Sequence, residues 1–171
     1  IPKMSMGNIS DAIEEYDKKI ASVMDSHKDS DIFDSFPGAG NAMAARLVAA
    51  FGTDRKRFND AKDVQEISGI APVTKKSGKS EIVHRRWACN KFQRQTFHEY
   101  AAHSMKQSTW AKAYYDMMRK RGQKHHTAVR ALAFKWIRIL HKCWKTRTRY
   151  DELIYTSSLI KRNSPILKFI P

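Results

Sequence analysis

The chain has 171 residues, which is enough for one domain with a modest core, or for one domain and an appended helix. Its 32 Lys and Arg residues against 17 Asp and Glu give a formal net charge of +15, which favours a polyanionic partner. No apolar run is long enough to span a bilayer, residues 1–10 lack the apolar core of a secretory signal, and two cysteines are too few for a disulfide framework, so we predict a soluble intracellular protein.

The charge is divided unevenly along the chain. Residues 1–35 carry 4 basic and 8 acidic side chains, whereas the remainder carries 28 basic and 9 acidic ones. An acidic first part before a strongly basic body predicts two parts with different partners, and the body suits a nucleic acid. An anionic membrane surface is the alternative, and it is less favoured because the basic residues are spread over several elements rather than along one amphipathic helix.

Residues 8–27 form the first predicted element, an amphipathic helix with Ser10 as its N-cap. Its apolar residues recur at steps of three or four, with charged residues between them: Ile9, Ile13, Tyr16, Ile20, Val23 and Met24. This apolar side either packs on its own domain or is the end of a coiled coil through which copies of the protein pair as dimers or higher oligomers. The chain begins with Ile1 rather than Met, which we interpret as a sign that it is part of a longer protein.

The stretch FPGAGNAMAARLVAAFG, residues 36–52, predicts a tight turn followed by a helix that Asn41 caps. It resembles the hairpin and second helix of a helix-hairpin-helix element. Gly38 and Gly40 would let backbone N–H groups approach a phosphate, and the N-terminus of the helix adds positive partial charge. Such a turn binds nucleic-acid backbone without reading base sequence, although the same residues also occur in turns that hold no ligand.

Residues 59–84 predict a short helix and then the only β-hairpin of the chain. Asn59 or Asp60 caps the helix, and Ser68-Gly69 ends it. The following VTKKSGKSEIV has two short runs rich in β-branched residues on either side of a Lys/Ser/Gly turn, which is typical of a hairpin.

Ser77 stands before Gly78 in that turn, and two interpretations of it remain open. Ser-Gly is a favoured turn dipeptide, and most serines in such turns have no other role. A serine hydroxyl becomes a nucleophile only beside a base, a metal or concentrated positive charge, while Gly78 would let the strand backbone come close to DNA. Cations that could bind a scissile phosphate surround the turn: Lys75, Lys76, Lys79, Arg85 and Arg86. Ser80 is an alternative nucleophile that nothing in the sequence excludes.

Residues 85–107 are predicted to form a helix. Trp87, Phe92 and later aromatic residues would bury one of its sides. Four basic residues could line the other side: Arg85, Arg86, Lys91 and Arg94. The aromatic residues of this and the following helices are assigned to the core rather than to base stacking.

Three more helices are predicted before an irregular tail. Ser108 or Thr109 caps the first of them, and Gly122 ends it. Residues 127–144 have the clearest amphipathic pattern of the chain. Residues 150–160 form a last short helix, and KRNSPILKFIP, at the end of the chain, is irregular.

Two pairs of side chains could be imagined as a zinc site, namely His141 with Cys143 and His125 with His126. No paired C-x-x-C supports this interpretation, and the two cysteines are expected to be reduced thiols. We therefore predict no metal site in this chain.

The predicted fold is mainly α, a helix-hairpin-helix-like helical domain with one short β-hairpin, preceded by an amphipathic, coiled-coil-like helix. We predict three parts along the chain. Residues 1–35 form the coiled-coil or linker helix, residues 36–155 form the domain that carries Ser77, and residues 156–171 form a C-terminal tail.

Several stretches together resemble transposases of the insertion-sequence-110 group, the bridge-RNA-guided recombinases. They are FPGAGNAMAARLVAAFG, GIAPVTKKSGKS, KFQRQTFHEYAAHS, WAKAYYDMMRKRGQKHHTAVRALAFKWIRIL and YDELIY. They occur in the family's order with compatible spacing and cover most of residues 36–155. Gln93 departs from the pattern, since many relatives have Leu there, and we expect this change to affect packing more than chemistry.

The resemblance implies that the chain is the family's C-terminal transposase domain with the end of its central coiled coil. Members of the family share an N-terminal RuvC-like nuclease domain whose acidic residues hold Mg²⁺. This domain lies outside the chain. Their nucleophilic serine lies in a G-x-A-P-x-x-x-x-S-G stretch, which corresponds here to Gly69, Ala71, Pro72, Ser77 and Gly78. The resemblance therefore implies a composite active site with Ser77 as nucleophile, no cofactor held by this chain, and a chain inactive without the other domain.

The predicted function is cleavage and rejoining of DNA through a phosphoserine intermediate, with a guide RNA that selects the DNA by base pairing. A prokaryotic cytoplasmic, nucleoid-associated location follows from the resemblance. The alternative is a non-catalytic helix-hairpin-helix module that only holds DNA or RNA. A helix-hairpin-helix base-excision glycosylase fits poorly, because no Asp follows the hairpin helix in the usual arrangement.

Overall fold

A computed structural model describes residues 6–171 of the chain, with side chains from Ile9 onward. The described part is mainly helical and contains one antiparallel two-stranded hairpin, which confirms the predicted fold class. The helices are α1 (Met6–Ser26), α2 (Ser30–Asp34), α3 (Asn41–Phe51), α4 (Ala61–Ile67), α5 (Lys91–Ser104), α6 (Thr109–Lys120), α7 (His125–Thr146) and α8 (Glu152–Lys161). The strands are β1 (Val73–Ser77) and β2 (Ser80–His84), and a 3-10 helix spans Pro165–Phe169.

Helix α7 is the central element of the core. Its apolar residues recur at helical spacing on a broad face, which lets it pack against α2, α4, α5 and α6 at once. The side chains of this buried face are Ala128, Val129, Leu132, Ala133, Trp136, Ile137, Leu140, Cys143 and Trp144. Burial of this apolar face is the main interaction that stabilises the shorter helices in their positions around α7.

The core is rich in aromatic side chains, and the indole N–H groups of its three buried tryptophans are hydrogen-bonded internally. The indole N–H of Trp136 donates to the Ser104 hydroxyl at 2.8 Å, and that of Trp144 donates to the Gly52 carbonyl at 2.8 Å. Trp110 donates to the Tyr150 hydroxyl, also at 2.8 Å. Because buried indoles need such partners, these bonds select one packing arrangement of the aromatic core.

Local signals located the starts of two helices correctly. Asp60 caps α4 through a capping box with Asp63, and Ser108 caps α6. Two predicted caps were wrong. Ser10 lies inside α1, which already begins at Met6, and Asn41 is the first residue of α3, whose N-cap is Gly40.

The helix predicted to begin near Arg85 begins only at Lys91. Asn90 is its N-cap, and the Asn90 side chain accepts a hydrogen bond from the backbone N–H of Gln93 at 3.0 Å. The residues between β2 and Asn90 therefore form an irregular connection instead of a first helical turn. One consequence is that Trp87 is not part of the helical face that packs on the core.

Helix α1 contacts the core only through its last turns. Met24 is buried and Ile20 packs against the core cluster, next to α3. The remaining apolar side chains of the stripe are exposed: Ile9, Ile13, Tyr16 and Val23. Most of the apolar side of α1 is thus without a partner in the described part of the chain.

The tail was predicted to be irregular, but it contains the 3-10 helix. Ile166 is buried, and the 3-10 helix packs against α6. The predicted boundary between residues 155 and 156 falls inside α8. Among the described helices, none combines the length and hydropathy needed to cross a membrane.

Candidate nucleic-acid interface

The β-hairpin is an exposed arm fixed at its base to the end of α4. The backbone N–H of Ala71 donates to the Gln65 carbonyl at 2.9 Å, and that of Asn90 donates to the Ile67 carbonyl at 2.8 Å. Beyond Val73, every strand residue is exposed. At about 3.3 Å per residue, the five-residue strands carry the turn roughly 17 Å from the base.

Gly78 permits the sharp turn at the tip of the arm. Ser77 and Ser80 are paired across the strands, so only Gly78 and Lys79 form the loop. Gly78 has φ +58°, while Lys79 is not among the residues with positive φ. This is the pattern of a type II′ turn, which requires glycine at its first central position. Ser77 is therefore the last residue of β1, directly before the turn.

The strand register decides which side chains share a face with Ser77. Because side chains alternate, Ser77 lies on the same face as Lys75 and, across the ladder, Ser80. Lys76 is on the opposite face, where its ammonium group lies 3.1 Å from a Glu81 carboxylate oxygen. The hairpin thus offers Lys75 on the face of Ser77 and Lys79 in the turn, whereas Lys76 is already paired.

The Ser77 hydroxyl is exposed and makes no side-chain hydrogen bond within residues 9–171. The nearest imidazole on its face along the ladder is His84, four residue pairs away and about 13 Å along the strands. A serine needs a base within about 3 Å to transfer its proton. The hairpin therefore supplies positive charge to Ser77 but no general base.

A shallow groove lies at the base of the hairpin, on the same face as Ser77. Its walls are formed by Val73, Lys75, His84, Arg85, Arg86, Trp87 and Ala88. Trp87 is 83% exposed, so its assignment to the core was wrong, as was that of Phe92, which is also exposed. The guanidinium of Arg85 lies 5.6 Å from the centre of the Trp87 ring.

Two of the predicted basic residues also brace the base of the hairpin. Arg94 donates from Nη1 to the Cys89 sulfur at 3.2 Å. Arg86 reaches only the outer limit of an ion pair with Glu66, at 4.0 Å, and its buried Nε has no hydrogen-bond partner in the described residues. Lys91 is exposed in the first turn of α5.

Tertiary packing adds three residues to this surface: His98 and Arg130, which sequence reasoning missed as site residues, and His126, which it considered only for zinc. Burial, followed by the nearby Arg85 and Arg94 charges, lowers the pKa of Arg130. Burial also lowers the pKa of His98, whose ring centre lies 5.6 Å from that of His126. The sequence signal that could have found them is helical spacing. Arg94 and His98 are four residues apart on α5, and His126 and Arg130 are four apart on α7, so each pair lies on one face of its helix.

The glycine turn before α3 lies at the other end of α5 from the hairpin. Gly38 has φ +78°, and a Cβ there would come within 3.0 Å of the His103 backbone. Lys91 and His103 are separated by about 18 Å along the helix. The structure therefore groups the hairpin with Arg85, Arg86, Lys91 and Arg94, and separates them from Gly38 and Gly40.

Gly38 and Gly40 differ in what they offer a phosphate. The N–H of Gly38 donates to the Gln107 side-chain oxygen at 2.8 Å, so an internal acceptor already holds it. Gly40 is the N-cap of α3, and a Cβ added there would meet nothing within 4 Å. Of the two, Gly40 has the open approach that a bound anion requires.

The side chains considered for zinc do not meet. His125 and His141 are about 24 Å apart along α7, and His141 is buried near Phe58. Among the described residues, no group of three or more His, Cys, Asp and Glu side chains could hold a metal ion.

Comparison with known proteins found a matching family and several similar proteins. A family model described as Transposase IS116/IS110/IS902 family matches residues 30–116, which include α2, the hairpin and α5. The chain is 35% identical over 141 residues to a protein of Streptomyces coelicolor described as a mini-circle transposase for IS117, covering 82% of this chain and 34% of that protein.

Two insertion-element proteins are also similar. The IS900 42 kDa protein of Mycobacterium paratuberculosis is 30% identical over 133 residues, covering 77% of this chain and 33% of that protein. The IS110 43.6 kDa protein of Streptomyces coelicolor is 30% identical over 134 residues, covering 78% of this chain and 33% of that protein. The chain spans about a third of the length of the curated relatives it matches.

Proposed function

The chain belongs to the IS116/IS110/IS902 family of transposases, and from this membership we propose that it cuts and rejoins DNA with Ser77 as the nucleophile. The observation that carries the proposal is the position of Ser77 at the tip of an exposed cationic hairpin. Its hydroxyl is unengaged, Lys75 shares its face, and Lys79 is in the adjoining turn. A DNA phosphate at the tip would meet the hydroxyl and these two ammonium groups together.

The proposed chemistry is two successive exchanges at phosphorus. Ser77 Oγ attacks a DNA phosphodiester, the bond from phosphorus to O3′ breaks, and a 3′-hydroxyl leaves with a proton. The hydroxyl proton of Ser77 passes to a base. The 3′-hydroxyl of the exchanged strand then attacks the phosphoserine, the bond from phosphorus to Oγ breaks, and Ser77 recovers a proton. The number of phosphodiester bonds is unchanged, so the reaction needs no ATP.

The residues of this chain fill only part of that mechanism. Lys75 and Lys79 would neutralise charge that develops on the phosphate oxygens, which is how cations accelerate phosphoryl transfer. The described residues offer neither a base beside Ser77 nor a metal-binding cluster. We propose that proton transfer involves a RuvC-like domain outside this chain, where the family resemblance also locates the Mg²⁺.

A guide RNA and self-association complete the proposal. The basic surface around the hairpin binds backbone phosphate and does not read base sequence, so base pairing with an RNA would select the DNA. The exposed apolar stripe of α1 suits pairing with a second copy, in dimers or higher oligomers. The turn and helix at residues 36–51 would contact backbone in the manner of a helix-hairpin-helix element, with Gly40 as the closest approach.

The competing function is a binding module without chemistry. The lack of a base beside Ser77 in the described residues favours it, as does the general suitability of a cationic arm for holding a nucleic acid. Such a module would bind DNA as tightly as a recombinase but would form no covalent intermediate. Affinity measurements therefore cannot separate the two functions, whereas an adduct can.

The deciding experiment looks for that adduct. Full-length protein, its guide RNA and Mg²⁺ are mixed with labelled target DNA, quenched with detergent and separated on a denaturing gel. We expect a protein–DNA adduct that is lost in Ser77→Ala and retained in Ser80→Ala. Ser80 is a matched control because it lies on the same face and directly opposite Ser77.

Each other result has a defined meaning. An adduct that survives Ser77→Ala and is lost in Ser80→Ala would identify Ser80 as the nucleophile. An adduct that survives both substitutions would exclude a serine of this turn. Binding without an adduct in the wild type would support the non-catalytic module.

A further inference from the structure

We propose that Trp87 is a stacking platform for an unpaired nucleobase. The proposal rests on the proposed function only in that the ligand is a nucleic acid. Trp87 is 83% exposed, whereas the other three tryptophans, Trp110, Trp136 and Trp144, are fully buried. A large aromatic side chain left in water at the base of the hairpin has no structural role among the described residues, so its apolar ring is available to a ligand.

The surroundings of Trp87 fit a base with its phosphate. Single-stranded nucleic acids are held by aromatic rings that stack on bases and by cations that follow the backbone. The groove provides both, because Lys75, Arg85 and Arg86 line it together with the Trp87 ring. The buried Nε of Arg86 has no hydrogen-bond partner in the described residues, and Arg85 lies over the ring at 5.6 Å.

The groove is placed to act near the proposed cleavage point. Val73 and His84 form its hairpin wall, and both share the face of Ser77. The distance along the strands from that pair to Ser77 is about 13 Å. This corresponds to about four stacked nucleotides at 3.4 Å each. A base at Trp87 would therefore lie a few nucleotides from a phosphate at Ser77.

Strand exchange creates the ligand that such a platform needs. Bases in an intact duplex are stacked on each other, and an aromatic side chain has no access to their faces. Strands that separate for exchange, or for pairing with an RNA, expose unpaired bases for a time. A platform beside the cleavage point would hold such a base and delay its return to the duplex.

The distribution of tryptophans provides a direct readout. Because three of the four are fully buried, acrylamide should quench mainly the emission of Trp87. The 171-residue chain is titrated at fixed salt with single-stranded DNA, with RNA of the same sequence and with the corresponding DNA duplex. We expect single strands to quench this emission and to protect it from acrylamide, and the duplex to do neither.

Variants then measure the contribution of the ring. We expect Trp87→Ala to weaken single-strand binding about tenfold while changing duplex binding much less, and Trp87→Phe to retain most of the affinity. Phe92→Ala is the matched control, since Phe92 is another exposed aromatic residue nearby and does not line the groove. It should leave both affinities unchanged.

The outcomes separate this proposal from the proposed function. Protection by DNA alone, or by RNA alone, supports the platform and identifies the strand that it holds. Unchanged single-strand affinity in Trp87→Ala overturns it. The platform is retained if single strands still quench the Trp87 emission in Ser77→Ala. If the full-length wild type also forms no adduct, only the proposed chemistry is rejected. Failure of the wild-type chain to bind any of the three probes at low salt would overturn the platform, while the chemistry of Ser77 would still be decided by the adduct experiment on the full-length protein.

Discussion

Ser77 and Ser80 have almost the same local environment. They flank one turn, face each other across one residue pair and are both exposed. Ser77 differs in preceding Gly78, whose missing side chain and positive φ leave the backbone beside it open on one side. Physical reasoning on single residues therefore does not choose between these two serines, and the adduct experiment has to.

The two glycines before α3 can be separated in the same way. Gly38 is required by the fold, because of its positive φ and its contact with the His103 backbone. Gly40 is not required, because it has an ordinary φ of −66° and open space around it. A functional role of Gly40 can thus be tested without disturbing the fold.

We predict that Gly40→Asp lowers DNA affinity without lowering stability. Asp is a good N-cap and interacts favourably with the helix dipole, so α3 should gain about 0.5 kcal/mol. The same negative charge would repel a phosphate at the helix N-terminus. Thermal unfolding and DNA titration of this variant provide the measurement. Gly40→Asn is the control, because Asn also caps the helix but is neutral, and this variant should bind DNA more tightly than Gly40→Asp. Equal affinities of the two variants would show that no phosphate binds at this turn.

At the scale of elements, residues in the connections between helices join distant parts of the chain through charged hydrogen bonds. Asp29, between α1 and α2, accepts two hydrogen bonds from the Arg55 guanidinium, at 2.5 and 2.9 Å. Arg55, between α3 and α4, also lies 4.8 Å from the ring of Trp144 on α7. Burial acts to raise the pKa of Asp29, but the hydrogen bonds and charge of Arg55 outweigh it, and the pKa is lowered.

We predict that Asp29→Asn destabilises the protein by about 2 kcal/mol at neutral pH, because it breaks hydrogen bonds between buried charged groups. The folded-state pKa is lower than the unfolded one, so this stability is present above the unfolded pKa and is lost as pH falls through the folded pKa. Urea unfolding of wild type and variant at several pH values would show the difference shrinking in acid. Asp17→Asn, at an exposed position of α1, should change stability little.

The contact of α5 with α7 brings like charges together. Burial is the main cause of the lowered pKa of Arg130, and the nearby charges of Arg85 and Arg94 lower it further. Such an arrangement costs folding free energy unless an anion relieves it. A cluster of this kind beside an exposed cationic hairpin is what a phosphate-binding surface requires.

We predict that Arg130→Gln keeps or raises the melting temperature while weakening DNA binding. Removal of one cation relieves repulsion in the free protein but removes one phosphate contact in the complex. The slope of log affinity against log salt should fall by about 1. Arg138→Gln, an exposed position on the same helix, is the control. A lower melting temperature in Arg130→Gln would contradict the repulsion argument.

At the scale of the whole molecule, the acidic first part and the basic body have separate surfaces. The body presents cations around the hairpin, and α1 presents an apolar stripe that the described core does not cover. Separation of this kind would let one surface hold nucleic acid while the other holds a second copy of the protein, as we propose.

We predict that Ile13→Asp shifts the protein towards monomer. Ile13 is 55% exposed, so a charge there should change the stability of the monomer by no more than about 0.5 kcal/mol. It would place an unpaired charge in an apolar contact between copies, which is costly. Light scattering at several concentrations provides the measurement, with Glu14→Gln on the same helix as control. A wild type that remains monomeric throughout would exclude pairing through α1.

The sequence alone determined features that depend on near neighbours, although not always to the residue. It restricted the cap of α4 to Asn59 or Asp60 and that of α6 to Ser108 or Thr109, and the structure selects Asp60 and Ser108. It also predicted a hairpin with Ser77 beside Gly78, whereas the strand register and the exposure of Ser77 come from the structure. Helical spacing likewise predicted most of the buried face of α7, because apolar residues at steps of three and four have only one side of a helix to occupy.

Only the tertiary structure decided the surroundings of these elements. Trp87 was assigned to the core because its spacing suited a helix, but the Asn90 cap starts α5 four residues later and leaves the indole in water. The engagement of Gly38 by Gln107 joins residues 69 positions apart. The physical reason is that a local pattern records which side of an element is apolar, whereas packing between distant elements determines what that side meets.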